Sequence, residues 1–293
     1  MTLPAPPYPP RAAVDDAVDR ALAEDLLPLG DLTASLLDPA AQGHLVIAAR
    51  EPGVIAGQWC AETAFARVGP DLKVDWRRPD GAAVAPGDVV ATVSGELRAI
   101  LTAERTALNF LGHLSGVATL TAAYVAAVRA VDPRVRILDT RKTTPGLRAL
   151  EKAAVRAGGG NNHRASLSDA VLIKDNHLGA LGITEAVSRA RSLWPGRMVE
   201  VECESLQQVD EATRARATVL LLDNMSPEEV AECVALVHRI EPASPPLLEV
   251  SGRVSLERAP LYAAVGVDLI SVGALTHSVA VLDLGLDLVE GDG

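Results

Sequence analysis

Six short apolar runs in the second half of the chain constrain its fold more than any other feature: Val135-Leu138, Ala170-Ile173, Met198-Val201, Val219-Leu222, Leu247-Val250 and Leu269-Val272. Helix-length segments separate them, several with helical spacing, such as Pro227-Ile240 and Leu256-Val265. Continuous apolar runs alternating with helices are what parallel strands require when both faces of their sheet are covered. Each run ends in a polar or glycine step: Asp139-Thr140-Arg141, Lys174-Asp175-Asn176, Glu202, Asp223-Asn224, Ser251-Gly252 and Gly273. Six such ends predict a β/α barrel whose chemistry lies at the carboxyl ends of its strands. An open doubly wound sheet is the runner-up, but no GxGxxG follows a first strand.

The stretch from Leu138 to His177 gathers Arg141, Lys142, Arg148, Lys152, Arg156, Arg164 and Lys174, with His163 and His177. Against them stand Asp139, Glu151, Asp169 and Asp175, in a chain whose formal net charge is -11. Local cation in an acidic protein predicts a pocket for a small polyanion, whereas a nucleic-acid binder shows a broad basic face. Arg148, Lys152 and Arg156 read as one solvated helix face. Arg141-Lys142 and Lys174 are different, because they directly follow apolar runs, where α/β proteins place ligand sites. Ser251-Gly252 and Gly273-Ala274 follow the last two strands and predict phosphate binding through backbone N–H groups at helix starts. Glu202 and Asp223 end adjacent strands, so their carboxylates are expected in one mouth, to balance charge or hold Mg²⁺. Glu200 and Glu204 share the Glu202 face by alternation, and spacing does not choose among the three. No nucleophile elbow, Ser/His/Asp set or HExxH is present. Transfer from a phosphorylated sugar through a cationic transition state needs none of these.

The remaining numbers exclude classes. Only 3% of residues are aromatic, which argues against a stacking platform for single-stranded nucleic acid. Cys60, Cys203 and Cys233 are odd in number and form no CxxC, which favours a reducing compartment over disulfides or zinc. The proline-rich start lacks the continuous apolar core of a signal peptide, and no apolar run reaches the ~18 residues of a membrane span, so the expected location is the cytoplasm. Before the barrel, a tail of residues 1–12 precedes a helix over Ala13-Leu27, a strand over His44-Val54 and a helix over Gly57-Val68. Short strands follow between turns at Pro79-Asp80-Gly81, Pro86-Gly87-Asp88 and Ser94-Gly95-Glu96, giving an α+β unit with an antiparallel sheet. Leu101 to Val131 predicts two helices broken near Gly112-Gly116, capped by Thr102, with Arg105 in the first turn. Val281-Leu288 alternates strictly and is expected to pair back onto the first sheet. The domains so drawn are a flexible tail (1–12), a sandwich domain (13–115, with 279–293 returning) and a barrel (116–278).

The blocks TAERTALNFLGHLSG, LDTRKTTPGLRALEKAAVRAGGGNNHR, LIKDNH, VEVE, LLLDN, LEVSG and ISVGALTHS occur in this order. Together they resemble the quinolinate phosphoribosyltransferase family, over nearly the whole chain. The resemblance implies an amino-terminal α/β sandwich plus an open α/β barrel, assembled as a homodimer. It implies condensation of quinolinate with phosphoribosyl pyrophosphate, with Mg²⁺, giving nicotinate mononucleotide, pyrophosphate and CO₂ in NAD synthesis. By motif, Arg105, Arg141, His163, Arg164 and Lys174 resemble the clamp for the two quinolinate carboxylates, Arg105 reaching in from the neighbouring subunit. Thr140, Lys142, Glu202, Asp223, Ser251, Gly252, Arg253, Val272, Gly273, Ala274 and His277 resemble the sugar-phosphate and pyrophosphate contacts, with Lys142, Glu202 and Asp223 closest to the chemistry. Arg253 departs from the small or amide residue expected after such a turn. A same-fold enzyme acting on another pyridine and a non-catalytic binding protein are the competing readings.

Overall fold

The computed structural model describes residues 8–178 and 181–288. It opens with helix α1 (Arg11–Leu26), whose Val14, Ala17, Val18 and Leu22 recur at helical spacing and are buried. The helix thus begins inside the expected tail, and Tyr8 stacks on Trp59 with ring centroids 4.3 Å apart. Residues 1–7 of that tail lie outside the described residues. Strand β1 (Gln42–Ala49) ends before a separate short β2 (Gly53–Val54), so the single strand expected over 44–54 is two. Helix α2 (Gln58–Val68) follows, then β3 (Lys73–Trp76), β4 (Ala83–Val84) and β5 (Val89–Glu96). The expected turn at Ser94-Gly95-Glu96 is absent, and these residues continue β5 with Gly95 at φ 138°.

Helix α3 (Leu97–Arg129) is a second correction, a single helix of 33 residues where two were expected. Thr102 lies within it and donates from its hydroxyl to Asp31 at 3.0 Å, and Arg105 also lies well inside the helix. Gly112 and Gly116 mark a close approach instead of a break. A Cβ at Gly116 would stand 2.0 Å from the carbonyl oxygen of Ala280, so only glycine admits that segment. By length and composition α3 could cross a membrane, although no 18-residue apolar run was evident in the sequence; 61% of its most apolar window is buried within the protein.

Strand β6 (Arg136–Leu138) opens the parallel sheet, and α4 (Arg148–Ala157) follows it. The solvated face expected on α4 is wrong: Lys152 is buried, and Arg148 and Arg156 are half-buried. Then come β7 (Val171–Ile173), α5 (Asp175–Leu178), α6 (Ile183–Leu193), β8 (Val199–Cys203), α7 (Leu206–Arg214) and β9 (Val219–Asp223). The chain continues through α8 (Pro227–Ile240), β10 (Leu247–Ser251), α9 (Ala259–Ala264), β11 (Leu269–Ser271), α10 (Ala274–His277) and β12 (Leu284–Leu288). All six predicted strands are present. They form one parallel sheet in the order β6-β11-β10-β9-β8-β7, an open α/β barrel. Strand β12 returns to the antiparallel sheet β12-β1-β5-β3, pairing Leu288 with Leu45 and Leu284 with Ala49.

By contact the chain divides into two compact units. One comprises the described residues of Met1–Ala122, Thr143–Gly159 and Leu275–Gly293; the other comprises those of Ala123–Lys142 and Gly160–Ala274. The segment 143–159, drawn with the barrel from sequence, packs with the first unit. There Glu151 on α4, fully buried, accepts the peptide N–H of Thr144 at 3.1 Å and lies 2.9 Å from His113 Nε2 on α3.

Candidate active site

A cavity of about 360 Å³ lies within the second unit, lined by Thr140, Arg141, Lys142, His163, Arg164, Leu172, Lys174, Glu202, Leu221, Asp223, Glu249, Ser251 and Ser271. Strand geometry explains that membership. Side chains alternate across a sheet, and parallel neighbours in register point the same way. Glu202 pairs with Leu221, Leu221 with Glu249, and Asp223 with Ser251, so these five share one face near the carboxyl ends of their strands. Leu172 pairs with Glu200 one level below.

The cations are held by backbone devices. Asp139, fully buried just past β6, accepts the peptide N–H of His163 at 2.9 Å and the Asn162 amide at 2.6 Å. The chain at Asn161 also bridges in parallel to Leu138, so the loop carrying His163 and Arg164 is stapled beside β6. Thr140 Oγ1 accepts the peptide N–H of Lys142 at 3.0 Å. Arg164 donates from Nη1 to the carbonyl of Ala170 at 3.2 Å. Burial, then the neighbouring Arg141, pulls the Arg164 guanidinium below its ordinary value, and Glu200 works against them. Cations that repel one another in a half-buried pocket are stabilised when an anion arrives.

At the mouth, Lys174 Nζ donates to Glu202 Oε2 at 2.5 Å, and Asp223 Oδ2 accepts from the Asn224 amide at 2.6 Å. Glu204, a candidate from alternation, lies beyond the end of β8 and is exposed. Glu200 is fully buried beside His163. Gly252 adopts φ 94°, and a Cβ there would meet Asn224 Oδ1 at 2.3 Å, so this glycine is required by close packing. Arg253 follows in the left-handed region at φ 48° and is exposed. The Ser251-Gly252 step does not open a helix directly, since α9 begins at Ala259; any anion there would meet loop N–H groups. Gly273 does precede a helix, the four-residue α10. Val272 is buried and its N–H donates to Leu138 at 2.9 Å, and Ala274 is half-buried. Arg105 and His277, both exposed, belong to the first unit.

Sequence reasoning missed Asp139 as the loop staple and Glu249 as a lining residue. The signal for Glu249 was present: an acid inside the otherwise apolar run Leu247-Val250 on an inward-facing position. The cysteines play no part in the cavity. Cys60, Cys203 and Cys233 are buried and free, and burial pushes their thiols up to about 12, 12 and 11.

The model of the quinolinate phosphoribosyl transferase N-terminal domain matches residues 31–115, and that of the C-terminal domain matches residues 117–287. A nicotinate-nucleotide pyrophosphorylase (carboxylating) of Mycobacterium leprae is 47% identical over 282 residues, covering 94% of this chain and 97% of its own. A quinolinate phosphoribosyltransferase (decarboxylating) of Nicotiana tabacum is 38% identical, covering 97% of this chain and 84% of its own. The solved structure of the nicotinate-nucleotide pyrophosphorylase from Francisella tularensis superposes with a TM-score of 0.90 at 36% identity, covering 98% of this chain and all of that one. Fold, inward-facing cations and these matches agree: the chain belongs to the quinolinate phosphoribosyltransferase family.

Proposed function

We propose that this protein transfers the phosphoribosyl group of phosphoribosyl pyrophosphate to quinolinate and releases CO₂, giving nicotinate mononucleotide for NAD synthesis. The observation that carries the reading is the convergence of Arg141, Lys142, Arg164 and Lys174 with Glu202 and Asp223 in one cavity at the carboxyl ends of parallel strands. Quinolinate is a dianion and the donor is more anionic still, so several fixed cations are needed to hold both. Planar guanidinium forks suit carboxylates, which assigns Arg141 and Arg164 to the acceptor. Lys174 starts bound to Glu202, so its charge is balanced until a substrate carboxylate takes that place. Glycosylation makes the ring nitrogen cationic, and that charge stabilises the electron pair left when the adjacent carboxylate departs.

Glu202 and Asp223 are oxygen donors on adjacent strands facing the same cavity, a set that suits a largely hydrated Mg²⁺ shared with substrate phosphates. Such an ion would screen the charge of the leaving pyrophosphate. Ser251 and Gly252 offer loop groups to the sugar phosphate. We assign the protein to the cytoplasm and to a homodimer in which exposed Arg105 completes the partner's acceptor clamp, an isologous arrangement that creates two identical shared sites.

Incubation with quinolinate, phosphoribosyl pyrophosphate and Mg²⁺ should yield nicotinate mononucleotide and CO₂. Nicotinate should be a poor substitute, because it leaves part of the clamp unpaired, and each lost bond to a charged group costs about 1.5–3 kcal/mol. Equal kcat/KM for the two acids would refute the acceptor assignment. For the dimer, inactive Arg105→Ala and Lys174→Ala subunits are mixed. Recovered activity supports a shared site, and continued inactivity after confirmed subunit exchange refutes it.

A further inference from the structure

Below the mouth, the imidazole of His163 lies between two buried acids to which the proposed reaction assigns no role. Glu200 on β8 is fully buried and Glu249 on β10 is 1% exposed. His163 Nε2 lies 3.0 Å from Glu200 Oε2, 3.3 Å from Glu200 Oε1 and 3.5 Å from Glu249 Oε1. On the opposite side of the ring, Nδ1 accepts the peptide N–H of Arg164 at 2.9 Å. A peptide N–H can only donate, so Nδ1 carries no proton here and Nε2 carries it. One N–H cannot satisfy two carboxylates. Glu200 Oε2 and Glu249 Oε1 accordingly make no well-aligned hydrogen bond among the described residues. A buried acceptor left in that state is costly, and so calls for a reason.

We infer that Glu200 and Glu249 are positioning residues that hold His163 in its Nε2–H form, so that Nδ1 fixes the His163–Arg164 peptide and thereby aims the Arg164 guanidinium. The other end of Arg164 is tied to Ala170, so the side chain is pinned at both ends. Fork-to-carboxylate bonding depends on the plane of the guanidinium, and a turned peptide would swing that plane out of line. Burial, then Glu200, pushes Glu249 up to about 7, which eases the standing of two acids beside one imidazole. His163 thereby becomes a support for Arg164, and the carboxylate contacts fall to Arg141, Arg164 and Lys174, with Arg105 across the proposed dimer, where the resemblance gave His163 a place in the clamp.

The kinetic arm of the test rests on the quinolinate reading; the spectroscopic arm does not. Full-length protein labelled with ¹⁵N-histidine is compared with Glu200→Gln, Glu249→Gln, Glu200→Ala, Glu249→Ala and, to assign the signal, His163→Ala. Wild type should show His163 as the Nε2–H tautomer. In the alanine variants that signature should be lost and KM for quinolinate should rise about tenfold, with KM for phosphoribosyl pyrophosphate within about twofold. The glutamine variants, which keep an acceptor, should recover part of both. A proton on Nδ1 in wild type, equal rises in both KM values, or a lower Tm with unchanged kinetics would overturn the inference. So would a stoichiometric metal ion whose removal abolishes the histidine signature, since the three side chains would then be its ligands. If wild type makes no nicotinate mononucleotide, the reaction reading fails and the histidine spectrum alone decides the positioning role.

Discussion

Two pairs of acids stand on the inner face of one sheet, and their surroundings differ. Glu202 and Asp223 sit at the strand ends, the first against Lys174 and the second against Asn224, both partners carried on side chains that can move. Glu200, two residues before Glu202 and one level deeper, shares a single imidazole with Glu249. A carboxylate at the rim exchanges its partner for a ligand or water at little cost. The same group at the floor has no such exchange, because burial without a partner costs about 1–3 kcal/mol. Glu249 is level with Glu202 through Leu221, so the partner each acid meets, Lys174 or Asn224 against the His163 imidazole, separates the two pairs.

The largest expected effect breaks the rim. Lys174→Ala removes the cation proposed to leave Glu202 for a substrate carboxylate, one charge-assisted contact worth up to about 3 kcal/mol. Steady-state assays should show kcat/KM for quinolinate falling roughly 10²-fold. A loss below tenfold would mean the rim pair is spectator.

Next comes the floor, read through pH. Glu249 is raised from 4.5 to about 7, by burial and then by Glu200. The folded state therefore keeps a proton that the unfolded chain releases as pH climbs past 4.5. Stability should decline through that window and level off above 7, by at most roughly 3 kcal/mol. Urea unfolding at pH 5, 6, 7 and 8 checks the slope, which Glu249→Gln should flatten. A wild-type curve as flat as the variant's would place Glu249 with the rim acids.

The smallest effect sharpens the contrast. Asp223→Asn keeps the shape of a rim acid and removes its charge, so KM for phosphoribosyl pyrophosphate at limiting Mg²⁺ should rise about tenfold. Quinolinate affinity by calorimetry should stay within about twofold. Weakened quinolinate binding with unchanged donor use would reverse the roles of the two substrates at the rim.

Legibility followed the range of the signal. The six strands were readable because a covered parallel strand is apolar along its whole length. The return of β12 was readable from its alternation, and Leu282 and Leu284 are buried as that alternation requires. The break expected at Gly112-Gly116 was not real, because a glycine that ends a helix and one that admits Ala280 look alike until the neighbour is known. Lys152 read as solvated for a related reason: helical spacing says which residues share a face, not what covers it. Arg141 and Lys174 were found as candidates because each follows the end of an apolar run, Arg164 through the family resemblance, and the cavity gathers all three.

The sequence by itself determined where the strands lie, which side chains share each strand face, and that cation concentrates between Leu138 and His177 in an acidic chain. These are properties of neighbours, and periodicity records neighbours. Only the tertiary structure decided that Glu200 turns to His163, 37 residues away, while Glu202 takes Lys174, 28 residues away, and that exposed Glu204 takes no place in the lining of the cavity. It alone set Glu249 level with Leu221 and brought Asp139 to the loop at Asn162. Such pairings depend on strand order and register, which are settled by packing the whole sheet and leave no periodic trace in any one segment.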